Sequence, residues 1–306
     1  MERVPYDEFA YFADNASEAG LPYPGPPVVE RTSVEVRPGF RLSALVWGTK
    51  PPGLVFLHGG SQNAHTWDTV ALALDRPLVA IDLPGHGHSD GGAHSVLDVD
   101  DNGRDVAAAI RVLAPDADAV IGMSLGGLTT LALAGSAPDL VRRLVLVDVL
   151  PAMVPDKARM ISDFVNGPPS FPDFDAILAR TIQYNPTRTE SSLRRGILHN
   201  AVQQEDGSWV WRHARHREAE PPAPPDPVDV AKRFEHLWSV ISGLTVPLML
   251  VRGMESSSVL DDDGEAELLQ RLPSARVEHV AAAGHSVQGD QPVELARLIA
   301  DFVPAR

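Results

Sequence analysis

The chain contains no cysteine, which excludes disulfides, zinc–thiolate sites and a cysteine nucleophile. Positive charge is scarce as well: 26 Lys+Arg stand against 41 Asp+Glu, a net charge of −15 at pH 7. Phosphate backbones and anionic lipid surfaces need a basic footprint, so neither a nucleic acid nor a membrane is an expected partner. Long hydrophobic runs are missing too. No stretch of ~18 uninterrupted apolar residues occurs, so no transmembrane helix is expected. The segment MERVPYDEFAYFADN lacks the basic-then-apolar pattern of a secretory signal, and a cytoplasmic protein is the expectation. What is present is ordinary globular material. Its 306 residues carry 44% hydrophobic side chains, enough for a core that needs no staples.

Proline and charge punctuate the chain. Residues 1–27 read as a leader, with a short helix between Tyr6 and Ala19 that LPYPGPP (21–27) terminates. Strands are expected at Val28–Val36, Arg41–Trp47, Leu54–Leu57, Leu78–Asp82, Ala119–Gly122, Leu144–Asp148, Leu248–Val251 and Arg276–Val280. The first two read as an antiparallel hairpin turning at Pro38-Gly39. From Leu54 onward the strands are short and apolar on both faces, the pattern of buried parallel strands. Helical patterns near 63–74, 98–113, 125–137, 262–272 and 292–303 alternate with them. The fold class is therefore α/β, a doubly wound and mostly parallel sheet. The alternation breaks over 151–243, which reads as a mainly helical cap inserted between two sheet strands. The core is then 28–150 together with 244–306. Within the insertion, helices are expected at 173–184 and 188–200, and PPAPPDP (221–227) reads as a stiff linker. DDDGE (261–265) reads as a helix N-terminus rather than a metal site.

Three short motifs carry chemistry. Gly122-Met123-Ser124-Leu125-Gly126-Gly127 lies between an apolar strand and a helix, the G-x-S-x-G pattern in a strand–turn–helix context. Such a turn strains the serine backbone and lifts its hydroxyl above the sheet. Leu57-His58-Gly59-Gly60-Ser61 follows another strand, and its paired glycines let main-chain N–H groups approach a substrate. Gly60 and Leu125 N–H are the expected oxyanion donors. Gly284-His285 follows the last strand. A serine hydroxyl is a weak nucleophile without a neighbouring base, and a late histidine fits the order Ser…Asp…His. His58, Gly59 and Met123 flank these turns and are expected to touch substrate. Trp209 and Trp211 alternate with Val210, so both indoles share one face of a short strand. They either line an acyl pocket or hold the cap together.

On these motifs the chain resembles the α/β-hydrolase superfamily over roughly residues 28–150 and 244–306. DLPGHGHSD (82–90) looks like that superfamily's loop after its fourth strand. LRRGILHN and GSWVWR within 193–212, with HGGSQNAHTWD (58–68) and GHSVQGDQP (284–292), resemble bacterial capped serine esterases. The resemblance implies a Ser-His-Asp triad, no metal and no cofactor. Its departure concerns the acid. Many members place the Asp after the strand read here at 248–251, but Ser257 stands at that position. Asp148, at the end of the preceding strand, is the expected replacement, since neighbouring strand ends lie ~5 Å apart. Glu255, Asp261, Asp262 or no acid at all are the alternatives.

The expected activity is hydrolysis of small carboxylic esters through an acyl-enzyme, with Ser124 as nucleophile, His285 as base and Asp148 as acid. A carbon–carbon bond hydrolase or lyase, a lactone or thioester hydrolase, and a non-catalytic small-molecule binder are the alternatives. His86-Gly87-His88-Ser89-Asp90 invites a metal reading, but Gly91 stands where a binuclear site needs another His. A structural loop anchored by Asp82 is the expectation. His213 and His216 are expected on a solvated face within RHARHRE, and the cap arginines 194, 195, 212, 215 and 217 in surface ion pairs.

Overall fold

The computed structural model describes residues 4–91, 97–151, 167–185, 187–213 and 232–305. The 221–227 linker, His216, Arg215 and Arg217 lie outside the described residues. Eight strands form one sheet: β1 (Val29–Arg37), β2 (Phe40–Trp47), β3 (Leu54–Leu57), β4 (Leu78–Ile81), β5 (Ala119–Met123), β6 (Leu144–Val147), β10 (Leu248–Gly253) and β11 (Arg276–Val280). Their order is β1-β2-β4-β3-β5-β6-β10-β11. β1 and β2 form the expected hairpin, with Gly39 at φ 71° in the turn. β2 meets β4 antiparallel, and every later pair is parallel.

Every residue of β3, β4, β5, β6 and β10 is buried, because helices cover both faces of the sheet. Alternation then sorts side chains between two cores. Val55 and Leu57 join the layer formed by α3 (Val99–Leu113), α4 (Leu125–Ser136) and α8 (Asp262–Arg271). Leu54 and Phe56 face α2 (Asp68–Leu74) and α10 (Pro292–Phe302). Chain direction reverses at β3: it runs outward to β4, then returns to place β5 on β3's other side. The carboxyl ends of β3 and β5 therefore flank a topological switch point, where open α/β sheets bind ligands.

The insertion holds α5 (Phe174–Tyr184), α6 (Glu190–Asn200) and a three-stranded sheet of β7 (Ser170–Phe171), β9 (Trp209–Trp211) and β8 (Ala201–Gln203). It has its own apolar cluster around Ile177, Leu193, Ile197 and the two tryptophans. One helix expected in no element, α7 (Leu237–Ser242), packs Leu237, Trp238 and Ile241 into the main core beside α4. The core thus resumes before residue 244. The leader helix is shorter than expected, α1 (Phe12–Glu18), and it is not a free segment. Phe12 is buried edge-on against Trp47, 5.0 Å between ring centres. Among the described residues, no helix is long and apolar enough to cross a membrane.

Candidate active site

Ser124 sits between β5 and α4 at φ 51° and ψ −119°. A non-glycine residue there costs on the order of 1–3 kcal/mol, so the surroundings must hold it. Its carbonyl accepts N–H bonds from Gly127 (2.9 Å) and Leu128 (3.0 Å), and its own N–H donates to Val147 O (3.3 Å). The flanking glycines follow from contact distances. A Cβ on Gly122 would lie 2.4 Å from Gly126 O, and one on Gly126 would lie 2.2 Å from Leu57 O. Only glycine lets the helix start this close to β3.

His285 approaches Ser124 from the loop after β11, with Nε2 3.0 Å from Oγ. Its Nδ1 lies 2.9 Å from Asp148 Oδ2. Asp148 is completely buried at the end of β6, at φ 48°. Its Oδ1 accepts bonds from Gly253 N–H (3.0 Å) and Ser258 Oγ–H (2.7 Å), and its Oδ2 accepts one from Val259 N–H (3.1 Å). Ser258 Oγ accepts Leu260 N–H, so its own proton is directed at Asp148. The carboxylate thus faces donors only. That places the His285 proton on Nδ1 and leaves the Nε2 lone pair facing the Ser124 hydroxyl. The other carboxylates considered are elsewhere. Glu255 is exposed, Asp261 caps α8 through Gly264 N–H, and Asp262 pairs with Arg252 on the surface. Ser258 and the Gly253 and Val259 N–H groups carry no motif, and sequence reading missed them.

The glycine turn after β3 lies against the same serine. A Cβ on Gly59 would stand 3.3 Å from Ser124 Cβ and 2.5 Å from Met123 Sδ. Gly59 N–H donates to Gln62 Oε1 (3.1 Å). Gly60 is exposed, and its N–H has no protein acceptor among the described residues. Leu125 N–H opens α4, where no intrahelical acceptor exists. Several residues expected at a substrate surface are instead internal supports. His58 is wholly buried: Nδ1–H donates to Gly59 O (2.7 Å) and Nε2 accepts Leu83 N–H (2.9 Å). Burial also pushes its pKa down, so it braces the turn as a neutral ring. Met123 is 1% exposed and fills space beside Gly59. Trp209 and Trp211 pack edge-on against Phe174 and Phe171, within the apolar core of the insertion.

Asp82 anchors the neighbouring loop as expected. Its carboxylate accepts Ala64 N–H (2.7 Å) and His88 N–H (3.0 Å) and pairs with Arg31 (2.8 Å). His86 Nε2 accepts Ser61 N–H (3.1 Å), which ties this loop to the glycine turn. His213 departs from expectation. It is buried, its ring stacked over His86, because the strand before it returns the chain towards that loop. Arg195 is likewise internal, held by Glu18 and Asn15 of α1. Arg194 pairs with Glu190 on the surface, as expected.

A buried polar network links the leader to the site. His65 Nδ1 meets Asp68 Oδ2 (2.9 Å), and Nε2 meets Glu8 Oε2 (3.3 Å), which also binds Arg31. The His199 ring stacks on His65 at 3.9 Å. His65, Asp68 and His199 have potential ligand atoms within 4.8 Å of one another. Burial alone would lower the His65 pKa, but Asp68 and Glu8 hold it up to about 9. At neutral pH the ring is therefore held in its charged form between the two carboxylates. Glu8 is opposed by burial but lowered to about 2 by His65 and Arg31. The His65 contribution, about 3 kcal/mol, is complete below its ordinary 6.5 and lost as pH rises through about 9. That of Glu8 is present above 4.5 and lost as pH falls towards 2. Calorimetry between pH 6.5 and 9 should show a falling melting temperature that His65→Gln flattens; an unchanged slope in the variant would locate the effect elsewhere.

Residues 54–298 match the alpha/beta hydrolase family, and the chain belongs to that family. Esterase Rv0045c of Mycobacterium tuberculosis is 42% identical over 316 residues, covering 100% of this chain and 98% of the relative. A crystal structure of that esterase superposes with a TM-score of 0.81 at 40% identity, covering 99% of this chain and 100% of the other. An sn-1-specific diacylglycerol lipase of Xenopus laevis, ABHD11, is 29% identical over 270 residues, 82% of this chain and 80% of the relative.

Proposed function

We propose that Ser124, His285 and Asp148 form the triad of a serine ester hydrolase that acts on small carboxylic esters. The full-length likeness to the mycobacterial esterase and the family membership make the protein an ester hydrolase; the proposal concerns which residues act and on what. The observation that carries it is the unbroken relay from Asp148 Oδ2 to His285 Nδ1 (2.9 Å) and from His285 Nε2 to Ser124 Oγ (3.0 Å).

In this reading Ser124 Oγ attacks the ester carbonyl while His285 Nε2 takes its proton. Asp148 holds the ring and stabilises the imidazolium. Gly60 and Leu125 N–H receive the oxyanion, each contributing about 3 kcal/mol to lowering the barrier. His285 then passes its proton to the leaving alcohol, and water releases the acyl group by the reverse route. The described part of the insertion over the carboxyl edge is a cap that selects the acyl or alcohol group. No step needs a metal or cofactor. Cytoplasmic residence fits the sequence expectation.

A fluorophosphonate should attach to Ser124, because only an activated serine reacts readily. Turnover of a p-nitrophenyl ester series from acetate to decanoate should decline at long acyl lengths. Absence of any adduct on folded protein would end the serine-hydrolase reading. A rate that rises to the longest ester would end the small-substrate one.

A further inference from the structure

The loop that carries His285 does not hold its shape by local preference. Ala282 stands at φ 54°, a conformation that L side chains rarely adopt. Ala283 O accepts Glu255 N–H (2.9 Å), and Gly284 is packed so close to β10 that a Cβ on Gly253 would run into Gly284 O. One residue grips the chain on both sides of the base. Asp290 ends the one-turn helix α9 (Val287–Asp290), and its Oδ2 accepts Gly284 N–H (2.9 Å). Its own main-chain N–H donates to Ser286 O (2.9 Å). His285 lies between those two bonds. Asp290 thereby fixes the backbone from which the imidazole reaches Asp148 (2.9 Å) and Ser124 (3.0 Å).

The other oxygen of Asp290 faces the insertion, where Oδ1 accepts Thr187 Oγ1–H (3.3 Å). The Arg188 guanidinium lies over Gly289, with Nη1 2.7 Å from the point where a Cβ there would stand. Burial disfavours the charge on Arg188, and Asp290 and then Glu18 of α1 favour it. Glu18 also binds Thr189 and Arg195. Leader, insertion and base loop therefore meet at one junction of opposite charges. We propose that Asp290 is a positioning residue for His285, and that the insertion, docked on it through Thr187 and Arg188, steadies the base. The inference rests on His285 as the base of the triad. It gives the insertion a role beyond selecting a group of the substrate: its seating sets the rate for every ester alike. Misplacing a reacting group by ~1 Å costs on the order of 10²-fold, so a loosened anchor has a large effect.

Steady-state rates of Asp290 variants on p-nitrophenyl acetate and hexanoate, read below their melting temperatures, test this. Asp290→Ala should lower kcat by about tenfold or more, by the same factor for both esters, because a displaced base slows each alike. Asp290→Asn should recover most of that loss: its amide oxygen accepts Gly284 N–H while its NH₂ donates to the Thr187 hydroxyl. Arg188→Met should lower kcat for both esters too, and should add less than about twofold in the Asp290→Ala background, since both act through one anchor. A folded Asp290→Ala with less than about a tenfold loss would overturn the role. So would losses that differ between the esters, an Asp290→Asn no better than Asp290→Ala, or full multiplication of the two losses. Should Asp290→Ala not fold, Arg188→Met decides: a kcat loss shared by both esters supports the role, and a parental kcat or a loss on one ester overturns it. A parent whose Ser124 takes no fluorophosphonate would remove the triad reading and this role together. Normal labelling of the parent with parental rates in Asp290→Ala would remove this role alone.

Discussion

Ser124→Ala is expected to lower kcat for p-nitrophenyl butyrate by about 10⁶, with KM nearly unchanged. The size follows from what the hydroxyl does: it forms the bond to the acyl group, and no other hydroxyl faces His285 Nε2 in the described structure. Loss of fold should not confuse the result. Alanine tolerates φ 51° no better and no worse than serine, so the strained turn is unaltered. The small residues that accommodate it remain, and His285 keeps its bond to Asp148. Stability should therefore stay within ~1 kcal/mol of the parent by thermal melting. The fluorophosphonate adduct should vanish with the activity. A loss of less than about tenfold, on protein that melts normally, would show that hydrolysis occurs elsewhere.

The sheet was legible because burial on both faces leaves a plain trace. Leu54–Leu57 and Arg276–Val280 are strands with the expected limits, and the helices expected between them begin and end within a residue or two of expectation. The triad serine and histidine were legible because each sits in a turn whose glycines are dictated locally, by contacts such as the 2.2 Å that a Cβ on Gly126 would make. Asp148 needed one topological step: β6 and β10 are neighbours, so the end of one strand lies beside the loop of the next. What stayed hidden depends on pairings between distant segments. Tyr6 meets His199 across 193 residues, and Glu8 meets His65 across 57. A leader read as separate is for that reason part of the core. His213 looked solvated because its neighbours in sequence are charged, but its neighbour in space is the His86 ring. His58 was read as a substrate contact because it adjoins the glycine turn, yet both its nitrogens are committed to main chain. α7 was missed because the proline-rich stretch before it masked a short apolar helix, and a few buried side chains decide its place.

Asp148→Asn is expected to reduce kcat by about 10⁴. Asparagine has the right shape but only one acceptor oxygen, and Asp148 serves donors on both of its oxygens. If the amide oxygen stays with Gly253 N–H and Ser258 Oγ–H, the NH₂ faces His285 Nδ1. The ring must then take the tautomer with its proton on Nε2, aimed at Ser124, and it is no longer a base. If the amide flips, His285 recovers its acceptor, but Gly253 N–H and Ser258 Oγ–H then face an NH₂. Those two donors are buried, and leaving them unpaired costs about 1–3 kcal/mol each. The first arrangement leaves one buried donor, Val259 N–H, and the second leaves two, so the inactive tautomer is favoured. The melting temperature should fall for the same reason, and rates must be read below it. Glu255→Gln provides the comparison: its carboxylate is exposed, and its turnover should match the parent. Near-normal turnover by Asp148→Asn, or a 10⁴-fold loss in Glu255→Gln, would move the acid away from the end of β6.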